Sequence, residues 1–295
     1  METNNTPSCN DATLIPYNPT SQNPWNTTKV KHVYRRLGFG AKQSDVDAAL
    51  SINPEDFIDN LVDTAAAQPA TPAPNWGYWS FNDYTDYLVE VPEQVMEWRV
   101  QTVNDFMNED LRGRLTLFWM NHFVTEYEAY GHPPYLFQYY NTIQAHALGN
   151  IKEFVRAIGI NSTMLIYLNG FENTNINPNE NYARELYELF SLGEGNGYSQ
   201  GDILETARAL TGYNHWDEYG DTIYFDNSTF DNGEKTIFGQ TGEWGYNDVI
   251  DILFQEKENE IAHFICEKLY RCFVSPSVDQ IIEETIIQPL AATLI

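Results

Sequence analysis

The sequence predicts a mainly α-helical protein, a single multi-helix domain with one small β-hairpin near residues 222–239. Three observations carry that prediction. Helix starts and stops are written out along the chain, as in Asn53-Pro54-Glu55-Asp56 and Leu192-Gly193. In such stretches Asn caps, Pro fits the first turn, acids meet the positive end of the helix dipole and Gly lets the chain turn out. Apolar residues recur at helical steps, as Met96, Val100, Val103 and Met107 do on one face of a helix. Strand character is confined to Thr222–Gly239, where Ile223-Tyr224-Phe225 and Thr236-Ile237-Phe238 flank a turn-rich segment.

The elements follow in order. Residues 1–28 are rich in Asn, Thr, Pro and Ser and read as a flexible tail ahead of one helical domain over 29–295. Lys29–Gly40 is a short basic helix closed by glycine. The Asn53 cap opens a helix to about Thr64, and Ala65–Asn75 is an Ala/Pro/Thr linker. Trp76–Tyr87 is crowded with aromatic rings. A long helix begins at Pro92, with Trp98 and Phe106 beside its apolar stripe. Further helices are expected over Leu111–Glu126, from Pro133 to near Gly149, over Ile151–Ile158 and over Ser162–Leu168. The next is capped by Asn177, with Pro178 in its first turn and Glu180 reaching back as in a capping box. Ser199 and Asp202 make a second box-like start for a helix to Thr211-Gly212. Helices resume over Tyr246–Phe254, Glu258–Phe273 and Pro276–Ile295, the last of which stops without a cap and is expected to be cut short.

Composition excludes several function classes. Sixteen Lys and Arg against 42 Asp and Glu give a net charge of −26. A surface that acidic repels phosphate backbones and anionic lipid, so nucleic acid is not an expected partner. No run of 18 apolar residues exists to span a membrane, and no signal peptide is visible at the start. The three cysteines, Cys9, Cys266 and Cys272, form no Cys-x-x-Cys pair. G-x-S-x-G, Walker, G-x-G-x-x-G and H-E-x-x-H motifs are absent.

Several blocks in register resemble the bacterial family catalogued as domain of unknown function 1800. They are R-R-L-G-F-G (35–40), L-F-W-M-N-H-F (117–123), H-A-L-G-N (146–150), M-L-I-Y-L-N-G (164–170), P-N-E-N-Y-A-R-E-L-Y-E-L-F-S-L-G (178–193), A-R-A-L-T-G-Y (207–213), D-N-G-E-K-T-I-F-G (231–239) and K-L-Y-R-C-F-V (268–274). Two departures stand out: Met120 replaces the first His of a W-H-N-H-F block, and Phe230 replaces the His of H-D-x-G-x-K. The resemblance implies bacterial origin and export to the periplasm, cell envelope or medium. It implies no established activity.

Candidate site residues cluster on the signature helix. Asn181, Arg184, Glu185 and Glu188 lie along one side, with Arg184 one turn from Glu180 and Glu188. One reading is an Arg–carboxylate network that fixes helix packing. The other is a hydrolase-like site with Glu185 as base or metal ligand, Arg184 orienting a substrate anion and His122 as acid or base, although a lone His among Phe118, Trp119 and Phe123 reads more simply as a hydrogen-bonded core or pocket residue. Asn179 and Glu180, in an Asn-rich approach, are the hard oxygen ligands that a divalent cation such as calcium takes; Asn also simply turns a loop. His215, in His-Trp-Asp-Glu, reads equally as a pocket rim or a solvated loop, and Trp79, in the aromatic segment, as a ring to stack on a sugar or as part of a buried flap or partner-contact surface. A non-catalytic scaffold, or a carbohydrate-binding protein with a glycan or envelope-protein partner, is the competing class.

Overall fold

The computed structural model describes residues 13–216 and 223–294. Helices dominate it, as the capping signals predict. Three form a cluster at the N-terminal end: α1 (Thr27–Leu37), α2 (Gln43–Leu50) and α3 (Pro54–Ala67). Asn26 caps α1 through the Lys29 amide, and Asn53 caps α3 through the Glu55 amide at 2.8 Å. Their apolar stripes enclose Val30, Tyr34, Val46, Ala49 and Phe57. Helix α2 had no legible signal, and α3 absorbs the first alanines of the expected linker.

Next come α4 (Tyr87–Asn108), α5 (Asp110–His122), α6 (Tyr127–Tyr130), α7 (Pro133–His146), α8 (Ile151–Gly159) and α9 (Ser162–Tyr167). Helix α4 starts five residues before the expected Pro92. Helix α5 ends at His122, so Glu126 is not on its helix but precedes α6. Trp98 of α4 packs edge-on to Trp76, Phe137 and Tyr140. The Met96–Met107 stripe points the other way, into solvent.

The signature helix α10 (Asn181–Glu188) begins four residues after the expected cap, because Asn179 rather than Asn177 accepts the Asn181 amide, at 2.9 Å. Helix α11 (Gln200–Ala209) opens with the expected Ser199–Asp202 capping box. The β content forms two antiparallel pairs. Strand β1 (Tyr213–Asn214) pairs with β2 (Tyr224–Phe225), and β3 (Lys235–Ile237) pairs with β4 (Gln240–Gly242) around the left-handed turn Phe238-Gly239. Thr222 of the expected hairpin lies outside the described residues.

Helices α12 (Tyr246–Glu256) and α13 (Glu258–Phe273) precede a nearly continuous C-terminal helix built from α14 (Gln280–Ile282), a π-turn over Glu283–Ile287 and α15 (Gln288–Leu294). The main core gathers α5, α7–α13 and β3 around Phe123, Ile143, Met164, Leu186, Tyr187, Ile237 and Leu253. No helix among the described residues is long and apolar enough to cross a membrane.

Candidate functional site

The predicted residues fall into three neighbourhoods. The first is buried. His122 ends α5 among the rings of Phe118, Trp119, Phe123, Phe190 and Phe264. Its Nε2 lies 3.0 Å from the Phe190 carbonyl, and its Nδ1 lies 3.1 Å from Lys268 Nζ of α13, which also donates to the Leu189 carbonyl at 3.2 Å. These partners dictate one tautomer: a carbonyl only accepts, so Nε2 carries the proton, and an ammonium only donates, so Nδ1 carries the lone pair. Burial, then the nearby Lys268 charge, pushes the His122 pKa down to about 3. Burial also lowers that of Lys268. Both imidazole nitrogens are thus engaged within the fold. Sequence reasoning missed Lys268, although it opens the K-L-Y-R-C-F-V block and is one of only 16 cations.

The second neighbourhood is the α10 stripe. Arg184 donates to Glu180 at 2.9 Å, to Glu188 at 3.3 Å and to Gln200 of α11 at 3.1 Å. Gln200 in turn donates to the other Glu180 oxygen at 2.7 Å. Asn181 donates to the Leu168 carbonyl at 3.0 Å. Glu185 differs: it is half-buried, accepts no hydrogen bond among the described residues, and burial, then Glu188, raises its pKa. No hydrogen bond or ion pair among the described residues joins Glu185 or Arg184 to His122; α5 meets this segment at the Phe190 backbone.

The approach to α10 is held by its asparagines. Asn173, fully buried, donates to the Ala207 carbonyl and accepts the Asn179 amide, each at 2.8 Å. Asn175 donates to the Ser228 and Phe230 carbonyls. The Asn179 side-chain oxygen and both Glu180 oxygens therefore already accept hydrogen bonds. Among the described residues no three His, Cys, Asp or Glu side chains converge as metal-ligating groups do.

The third neighbourhood is open and lies where that loop meets the β1–β2 pair. His215 follows β1 with its backbone at φ 72, a left-handed conformation costly for a residue with a Cβ. Its ring stacks on Tyr224 at 4.4 Å and 4° between planes, and its Nε2 lies 2.8 Å from Asp226 Oδ2. The side chain is 41% exposed. Hydrogen bonds from Ser228, then from His215, hold the Asp226 pKa down to about 2, so it accepts and Nε2 carries the proton. Asp226, its partner, lies in the turn-rich segment of the expected hairpin, and no sequence motif marked it. Trp216 packs on Phe171, while Asp217 and Glu218 lie outside the described residues.

Two other motifs resolve into packing. Lys235 is 1% exposed, its ammonium bonded to the Asp231 and Gly233 carbonyls and set 4.8 Å above the Phe230 ring. Asp231 is clamped by Arg208 at 2.8 and 3.2 Å. Trp79 packs edge-on to Tyr84 at 5.2 Å, and its carbonyl pairs with His132 at 3.1 Å.

The blocks that build these neighbourhoods run through nearly the whole chain. Comparison with curated proteins finds no match, and comparison with solved structures finds none either. The family model described as Protein of unknown function (DUF1800) matches residues 32–295, and the chain belongs to that family.

Proposed function

We propose that this protein is a hydrolase-like enzyme of the bacterial cell envelope whose general base is His215, oriented by Asp226. The observation that carries the reading is the half-exposed imidazole locked against a carboxylate at 2.8 Å on a strained backbone. Backbone strain of this kind persists where the surroundings enforce it, and it concentrates at functional sites. With the proton on Nε2, Nδ1 is the basic atom. It would take a proton from water, and Asp226 would stabilise the imidazolium, as a carboxylate does in acid–base catalysis. Export rests on the family resemblance. A divalent cation at Asn179 and Glu180 would have to displace the hydrogen bonds those oxygens now accept.

The test is a panel of chromogenic carboxylic esters, phosphate esters and glycosides, run with the wild-type chain, His215→Asn and Asp226→Asn. Asparagine tolerates left-handed backbone, so His215→Asn removes the imidazole without refolding the turn. A loss of roughly 10²–10⁴-fold is expected for His215→Asn. Turnover unchanged by that substitution would refute the assignment.

A second reading, a non-catalytic envelope scaffold or glycan-binding protein, is favoured by one observation: Arg184, Glu180, Glu188, Asn181 and His122 each have polar atoms engaged by partners within the fold. Absence of turnover across the panel, with melting unaffected by His215→Asn, would favour that reading.

A further inference from the structure

We infer that the outer face of α4 is the seam of a parallel homodimer. Leu88, Val89, Met96, Val100, Val103 and Met107 are 54–84% exposed along this one helix. Together they expose on the order of 700 Å² of apolar side chain over about 30 Å of helix, more than the few hundred Å² a monomer ordinarily presents. That area approaches the roughly 800 Å² per partner of a standard specific interface. The helix cannot roll to hide the stripe, because its opposite face is pinned. Gln94 accepts the Tyr84 hydroxyl at 2.9 Å, and Asp105 accepts the Tyr140 hydroxyl at 2.9 Å.

The spacing and charges select the occupant. Steps of four, three and four from Met96 to Met107 make a narrow seam of the kind paired helices bury, with valines at 100 and 103. Glu90, Glu93 and Glu97 line one edge of the stripe and Arg99 the other. Arg99 takes part in none of the ion pairs among the described residues. A two-fold axis running along the seam sets the Arg99 edge of one copy beside the acidic edge of the other, twice. An antiparallel pair would instead turn the acidic edge against itself. An unrelated acidic partner would meet the same repulsion, whereas a second copy of this chain in parallel supplies both apolar seam and opposite charge.

Sedimentation of the full chain up to about 100 μM tests this, since a micromolar Kd is resolved there. A dimer is expected, weakened at least roughly tenfold by Val100→Glu, with an unchanged melting curve at dilutions where the chain is monomeric, because the residue is then exposed. Met107→Cys should form a self-disulfide on mild oxidation that the wild-type chain, with its own cysteines, does not form; parallel seams bring these positions together and antiparallel ones separate them. A chain monomeric at the highest concentration, a dimer indifferent to Val100→Glu, or failure of Met107→Cys to cross-link in a dimer would overturn the inference.

Discussion

Acidification should weaken this fold through His122, and the size follows from its surroundings. In the unfolded chain the imidazole titrates near pH 6.5. In the fold its pKa is pushed down to about 3, by burial among five rings and then by Lys268. Below pH 6.5 the unfolded chain therefore takes up a proton that the folded chain refuses. Unfolding binds protons, so stability is present above the unfolded pKa and is lost as pH falls toward the folded one. Each pH unit is worth about 1.4 kcal/mol, so about 2 kcal/mol is lost between pH 6.5 and 5, and on the order of 4 kcal/mol across the window. The 42 carboxyl groups titrate in the same range, so the measurement must be a difference. Urea unfolding of the wild-type chain and His122→Gln, at pH 7.5, 6 and 5, isolates the histidine. At pH 7.5 the variant should be less stable by about 1–3 kcal/mol, the cost of leaving buried partners poorly matched. That gap should narrow by about 2 kcal/mol by pH 5. Parallel stability curves would refute the reasoning, because His122 would then titrate alike in both states.

Two further outcomes follow from packing. Gly159→Ala should destabilise by about 2–4 kcal/mol in chemical unfolding, because a Cβ there would collide with the hydroxyls of Tyr182 and Tyr246; Tyr246 is anchored to the Arg156 carbonyl at 2.8 Å and cannot swing aside. Arg184→Ala should cost only about 0.5–1 kcal/mol, since its side chain is 32% exposed; a loss several times larger would mean that the α10 stripe is a buried linchpin after all.

Local signals made most helices legible. Asn53-Pro54 and the Ser199–Asp202 box act over three or four residues, and each caps a helix where expected. The start of α10 was misread because asparagines in alternation from 173 to 181 offer several chemically equal caps. Only contacts with Ala207 and the Ser228 turn select Asn179. The apolar stripe of α4 shows the complementary limit. Periodicity identifies a helix face, but not whether that face meets core or solvent, and here Trp98 on the other side won the core.

The site divides along the same line. Sequence alone determined the fold class, the family and the stretches rich in chemistry, because caps, periodicity and ordered motifs are properties of neighbouring residues. Tertiary structure alone decided which of those residues meet. It brought Lys268 to His122 across 146 positions and buried both imidazole nitrogens in bonds. It spent the Arg184 stripe on its own carboxylates, and it set Asp226 against His215 across a strand pair only two residues deep. Those pairings depend on the packing of distant helices and strands, where burial and hydrogen-bond geometry are fixed together, and no local spacing encodes them.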